Sequence, residues 1–275
     1  MPSRQVSLFA SGFKFPEGPA FDRDGNLFVV NVDTGVISKV SSEGSVETFV
    51  NTGGAPNGAK FHLNGDLYVA DRRRGILAIS PSGNIRAVVD TDQGKRFSGP
   101  NDLVFDLNGN LYFTDPHGSS AENPFGRVYR FSSSGELTCL ASGLAFPNGL
   151  VLSRDGQYLF VANTRKNRIL RYVLTPPVRS YVFSQLSGGW GPDGMAFDMA
   201  GNLYIAHYGG GEVIILNPKG EVVERMPIGG LYPTNVAFGG PDNKTLYVTE
   251  VETGSVYCFN TDHPGFPLYG DVGVG

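Results

Sequence analysis

The sequence predicts an all-β protein, a six-bladed β-propeller built of four-stranded antiparallel blades. Three observations carry that prediction. A proline-centred unit recurs six times, as FPEGPAF (15–21), APNGAKF (55–61), GPNDLVF (99–105), FPNGLVL (146–152), GPDGMAF (191–197) and YPTNVAF (232–238), with its prolines 40 to 47 residues apart. The apolar runs between these anchors are 4 to 7 residues long, rich in Val, Ile, Tyr and Phe, and bounded by Gly, Asn, Asp or Ser, as short strands are. No apolar pattern persists at a period of 3.6 for three turns, so no helix is expected.

Within each unit the anchor proline opens the first strand. About nine residues on, a polar turn such as Asp24-Gly25-Asn26 or Asn108-Gly109-Asn110 leads into a second strand (LFVV, LYVA, LYFT, YLFVA, LYIA, LYVT). That strand ends at a polar residue: Asn31, Asp71, Asp115, Asn163, His207 or Glu250. A third run, from VISKV in the first unit to SVYCF in the last, and a fourth such as SVETFV complete the meander. A lone meander hides one face at most, so the units must stack on one another in a ring. The sixth unit stops after SVYCFN (255–260), whereas RQVSLF (4–9) precedes the first unit without a partner. Pairing these two segments closes the ring and removes an open edge. Six units of about 46 residues account for 1–275 as a single domain.

Composition fits this reading and excludes other classes. The 38 glycines and 18 prolines fall at a fixed period as punctuation, and 40% hydrophobic residues suffice for a large core. A net charge of −4, with no basic tract beyond Arg72-Arg73-Arg74, argues against a nucleic-acid partner. No segment approaches 18 apolar residues and the N-terminus lacks a signal-peptide run, so no membrane partner and a cytoplasmic location are expected. Cys139 and Cys258 fall in units on opposite sides of the ring and are expected to be free, mostly buried thiols.

If the strand after each proline is innermost, the residue following each proline faces a common axis. These residues are Glu17, Asn57, Asn101, Asn148, Asp193 and Thr234, with Asn235 beside the last. Turn chemistry alone explains Pro-Asn-Gly sequences, and for Asn57 that explanation suffices. Glu17, however, is a poor turn former. Two carboxylates and two amides aimed at one narrow axis repel or go unsatisfied unless a cation or water holds them. An all-oxygen set with two negative charges suits Ca²⁺, Mg²⁺ or Mn²⁺, and carboxylates also bind Zn²⁺. A cation with open positions polarises a carbonyl and brings water close, which makes Asp193 the candidate general base.

The strings PEGP (16–19), GKRFSGPNDLVFD (94–106), FTDP (113–116), FPNGL (146–150) and PDGMAFD (192–198) together resemble the SMP-30/gluconolactonase/LRE-like family of six-bladed propellers, over essentially the whole chain. The resemblance implies one divalent cation, most simply Ca²⁺, held by Glu17, Asn148 and Asp193, with Asn101 as an additional substrate contact. It also implies hydrolysis of lactones, commonly sugar-acid lactones, with organophosphate esters as a further substrate class. The family's substrate-binding Arg is best matched by Arg96.

Other candidates follow from topology. His117 and His207 begin or lie in loops between second and third strands at the functional end and are candidate substrate contacts. The longest such loop, DPHGSSAENPFG (115–126), is a candidate lid, and Asp115 is expected to orient a ligand or bond a backbone group. Segments 71–74, 163–167, 208–211 and 250–254 form the rim, where Arg73, Arg165 and Lys166 are expected as solvated charges. Trp190 serves equally well as an aromatic wall or as packing under a glycine-rich loop. No G-x-S-x-G and no converging Ser/His/Asp set point to a serine mechanism. The expected protein is therefore a metal-dependent lactone hydrolase, a monomer or weak homo-oligomer acting on a small-molecule lactone. The alternatives are a non-catalytic binding propeller with a structural metal, and a phosphotriesterase-like or strictosidine-synthase-like activity.

Overall fold

The computed structural model describes residues 4–271, and in it the six anchor prolines stand at or just before the innermost strands of six four-stranded antiparallel sheets. These inner strands are Pro16–Phe21, Pro56–Phe61, Leu103–Phe105, Pro147–Leu152, Gly191–Phe197 and Pro233–Gly239. In the first five blades the strands run outward in sequence order. Burial falls in the same direction. Leu27–Asn31, second in blade 1, is buried throughout, whereas the outermost strand Val46–Asn51 is mostly exposed.

The last blade is completed as the sequence predicts. Ser7–Ser11 pairs antiparallel with Ser255–Asn260, placing Ser7 opposite Cys258 and Ser11 opposite Ser255. The core is divided into six clusters, each lying between adjacent blades. The sixth spans the closure, joining Ala10 and Phe13 of the N-terminal segment to Leu27, Val29 and Val40 of blade 1 and Val256 of blade 6. Every blade therefore hides its apolar faces against two neighbours, including the first and last.

The thiols differ from expectation. Both cysteines are free, but Cys139 is exposed and Cys258 only half-buried. Cys139 sits on Leu137–Leu144, an outermost strand whose side chains mostly face solvent. Cys258 is covered on one side by Ser7, whose Oγ lies 3.3 Å from its Sγ. The only helical elements among the described residues are the 3₁₀ turns Thr164–Lys166 and Tyr269–Asp271. No helix of the described residues is long and apolar enough to cross a membrane.

Two repeated devices position the inner ends of the strands. The first is a bulge. The ladder between first and second strands slips just after the anchor in blades 1, 2, 4, 5 and 6, for example between Glu17 and Ala20 and between Pro192 and Met195. Such a bulge re-aims a side chain, here toward the axis. The second is a staple from the polar residue that ends the second strand. Asn31 Oδ1 accepts from Lys14 N, Asp71 Oδ1 from Ala55 N, Asp115 from Ser98 N and Gly99 N, and Glu250 from Tyr232 N. Each bond fixes the chain just before an anchor proline.

Asp71 carries a heavy load, accepting also from Thr52 Oγ1, Arg73 N and Arg74 N. Asp71→Ala leaves the buried donors Thr52 Oγ1 and Ala55 N, and the half-buried Arg73 N and Arg74 N, without an acceptor and is expected to cost about 3 kcal/mol, lowering the melting temperature by about 10 °C. Circular dichroism melts check this. A loss below about 2 °C removes the staple from the account of stability.

Candidate active site at the channel mouth

Ring closure brings Glu17, Asn101, Asn148 and Asp193 into one pocket of about 140 Å³ at the end of the channel that carries the loops between second and third strands. All four side chains are buried. Hydroxyls from neighbouring blades fix the backbone there: Thr114 Oγ1 donates to Asn148 O, Thr164 Oγ1 to Pro192 O and Thr234 Oγ1 to Pro16 O. A larger crevice of about 710 Å³ lies between blades 4 and 5, lined by the turns that follow their first strands, and it contains none of the ring residues. Its acids are already engaged, Asp198 with Asn202 and Tyr204 and Asp155 with Ser153 and Gln157. The smaller pocket, where acids and amides converge, is the candidate site.

The donor set fits a cation. Asn101 Oδ1, Asn148 Oδ1 and Asp193 Oδ1 are buried oxygens without any hydrogen-bond donor. Each orphaned acceptor costs on the order of 1–3 kcal/mol, which one shared divalent ion would offset. Among the described residues no three His, Cys, Asp or Glu side chains are grouped to hold a metal. The set instead combines two carboxylates with amide oxygens, a composition suited to hard cations. Asn57 stands apart, since its Oδ1 accepts from the Arg72 guanidinium.

Electrostatics point the same way. Burial, reinforced by the Asp102 carboxylate, pushes the Glu17 pKa up to about 7, against bonds from Gly18 N and the Asn235 amide. Burial and the charges of Glu17 and Asp102 hold Asp193 well above the usual carboxylate range, opposed by Arg72 and the Asn148 amide. Carboxylates crowded in this way, and so perturbed, mark functional sites more often than structural ones.

A second polar layer lies beneath the first, at the residue after each ring member. Blades 1, 2, 4 and 5 have glycine there, and blades 3 and 6 have Asp102 and Asn235. The glycines make room. A Cβ on Gly58 would stand 2.3 Å from Asp102 Oδ1, and one on Gly194 2.0 Å from Asn235 Oδ1. Asn235 Nδ2 lies 3.2 Å from Glu17 Oε2 and 3.4 Å from Asp102 Oδ2, tying blade 6 to blades 1 and 3 across the channel. Burial raises the Asp102 pKa, and the charge of Lys60, itself buried, opposes that shift.

The walls are aromatic. Phe15, Phe146, Trp190 and Tyr208 line the pocket, with Trp190 exposed and edge-on to Tyr208 at 5.6 Å, so Trp190 is a wall. Phe15 and Phe146, directly before anchor prolines in opposite blades, both adopt left-handed backbone, with φ of 54° and 58°. For a bulky residue this conformation costs on the order of 1–3 kcal/mol. Such strain clusters where a side chain is held for function.

Three predicted substrate contacts lie outside this lining. Arg96 stands on a small ribbon, Thr91–Asp92 paired with Lys95–Arg96, that turns outward; its side chain is 72% exposed and 3.9 Å from Asp90. His117 is exposed beside Gly99. His207 is fully buried, with Nε2 3.1 Å from Asn167 Oδ1 and Nδ1 3.5 Å from Glu212, and burial lowers its pKa. The loop at 116–125 contributes nothing to the lining; its Ser119 Oγ accepts from Phe146 N instead. Asp115 bonds backbone, as anticipated. Arg165, expected as a solvated rim charge, and Arg72, of the rim segment 71–74, instead line the pocket, and the residue that sequence reasoning passed over is Asp102. The break in the glycine pattern after the ring position was the available signal for Asp102.

A family profile described as the SMP-30/gluconolactonase/LRE-like region matches residues 15–252. Diisopropyl-fluorophosphatase of Loligo vulgaris is 29% identical, over 92% of this chain and 91% of its own. Gluconolactonase of Zymomonas mobilis is 30% identical, over 90% of this chain and 79% of its own. Among solved structures, the calcium-binding protein regucalcin of Agrobacterium tumefaciens superposes with a TM-score of 0.80 at 21% identity, covering 96% of this chain and 99% of the other. The repeated anchors, the closed ring and the profile match over most of the chain make this protein a member of the SMP-30/gluconolactonase/LRE-like family.

Proposed function

We propose that the protein hydrolyses a lactone, in the first instance a sugar-acid lactone, with one divalent cation held by Glu17, Asn148 and Asp193. The observation that carries this reading is the set of three donorless buried oxygens, on Asn101, Asn148 and Asp193, converging beside Glu17. Calcium is favoured by the all-oxygen set and by the calcium-binding relative. When bound, the cation polarises the lactone carbonyl and lowers the pKa of a nearby water.

The chain's own residues supply the rest. Asp193 accepts a proton from the water whose oxygen bonds to the acyl carbon, and returns it to the ring oxygen as the acyl C–O bond breaks. In the cation-free site, burial and the neighbouring acids hold Asp193 well above the usual carboxylate range. Asn101 orients the substrate, and the assignment made to Arg96 passes to Arg72 and Arg165. A second reading, cleavage of a phosphofluoridate or phosphotriester, is favoured by the similarity to diisopropyl-fluorophosphatase.

Aldonolactones and organophosphate esters, assayed with a pH indicator before and after chelation, separate these readings. Lactone turnover abolished by chelator and restored by Ca²⁺ is expected. Turnover of organophosphates alone establishes the second reading. Activity toward neither class, with Ca²⁺, Mn²⁺, Mg²⁺ or Zn²⁺ added, leaves a binding propeller.

A further inference from the structure

Arg165 occupies an unusual place on the rim. Its guanidinium lies over two aromatic rings at once, 5.6 Å from the centroid of Phe146 and 5.6 Å from that of Trp190. This arrangement is fixed by the backbone. Arg165 N donates to Ala145 O and Thr164 N to Phe146 O, while Phe146 N donates to Ser119 Oγ. The left-handed conformation of Phe146 is thereby locked, and with it the ring beneath the guanidinium. Stacking leaves the N–H edges of a guanidinium free to bond an anion in its own plane.

No carboxylate neutralises this group. Among the described residues Arg165 belongs to no ion pair. Glu122, whose charge senses Arg165 and Lys166, is bonded to Ser120. At the channel mouth and just beneath it the acids Glu17, Asp102 and Asp193 face the two cations Arg72 and Arg165, so a bound divalent cation turns a formal charge of −1 into +1 and leaves the site with excess positive charge. A neutral sugar lactone leaves that excess uncompensated; a substrate that brings its own anion does not.

We infer that the site selects a lactone bearing an anionic substituent, with the Arg165 guanidinium, stacked on Phe146 and Trp190, as the group that binds the anion. This inference rests on the lactonase reading and narrows its substrate class. Arg72, engaged through one nitrogen with Asn57, is the second cation in the pocket lining. The lactone ring then lies between the two cations and beneath the aromatic wall.

Galactono-1,4-lactone and galactaro-1,4-lactone test this, since they differ in a terminal hydroxymethyl against a carboxylate. The expected result is a kcat/KM about tenfold or more higher for the anionic lactone, as one charge-assisted hydrogen bond supplies, with the preference shrinking as salt is added. Arg165→Gln should bring the ratio of the two rates close to unity, and Arg165→Lys should retain part of it. Calorimetry on the cation-loaded protein gives a readout independent of turnover: the parent should bind galactarate more tightly than galactonate, and Arg165→Gln should lose the difference. Equal or better turnover of the neutral lactone, or a ratio unmoved by Arg165→Gln, overturns the inference while the lactonase reading stands. Turnover of neither lactone, with a broader panel also silent, removes both.

Discussion

Asp193→Asn is expected to lower lactone turnover by on the order of 10²-fold or more, the usual loss when a general base is removed. The amide keeps an oxygen where the carboxylate stood, so the ring should persist and some cation affinity should remain. Added cation should therefore not restore the rate. Near-parental kcat in Asp193→Asn would take the base role away from this residue and leave it as a ligand alone.

Glu17→Gln is expected to act on the cation. Replacing groups that merely support a ligand weakens metal affinity 10- to 100-fold, and removing a charged ligand should cost at least as much, about 10²-fold by titration calorimetry. Excess cation should then recover part of the rate, unlike in Asp193→Asn. The stability effect runs in the opposite direction. In the chelated parent the folded-state pKa of Glu17, about 7, lies above the ordinary value of 4.5. Protons are thus bound more tightly by the folded chain, and this contribution to stability is complete below about pH 4.5 and lost as pH rises through about 7. The chelated parent should melt at lower temperature at pH 8 than at pH 5. Glu17→Gln, with nothing to ionise there, should lose less over that range. At pH 8 it should be more stable than the chelated parent by up to about 3 kcal/mol. Identical affinity in the two proteins would place Glu17 outside the cation's ligands.

Most of the fold was legible because it is written six times. The anchor prolines, the glycine turns and the unpartnered RQVSLF segment each have a direct structural counterpart in an inner strand, a hairpin and the closing pair of Ser7–Ser11 with Ser255–Asn260. The ring residues were legible for the same reason, since equivalent positions in a closed repeat face one axis. What escaped was whatever breaks the repeat. The ribbon at 91–96 is a local insertion between the last strand of blade 2 and the first of blade 3, and it carries Arg96 outward where a regular connection would have kept it near the mouth. His207 occupies the position that Asp71 and Glu250 hold in other blades, where the strand end is buried, and it packs beside Asn167 and Glu212 rather than reaching the mouth. The reach of Arg72 and Arg165 into the pocket depends on side-chain packing against Asn57, Phe146 and Trp190, none of which the spacing of anchors encodes.

The seam between Ser7–Ser11 and Ser255–Asn260 bears on when the protein gains its chemistry. Glu17 comes from the first blade, Asp193 from the fifth, and the amide that steadies Glu17 from Asn235 in the sixth. A chain emerging from the ribosome therefore carries every proposed ligand before it can bring them together. The cation affinity proposed above should appear abruptly, once the final hairpin has been released to meet the segment made first.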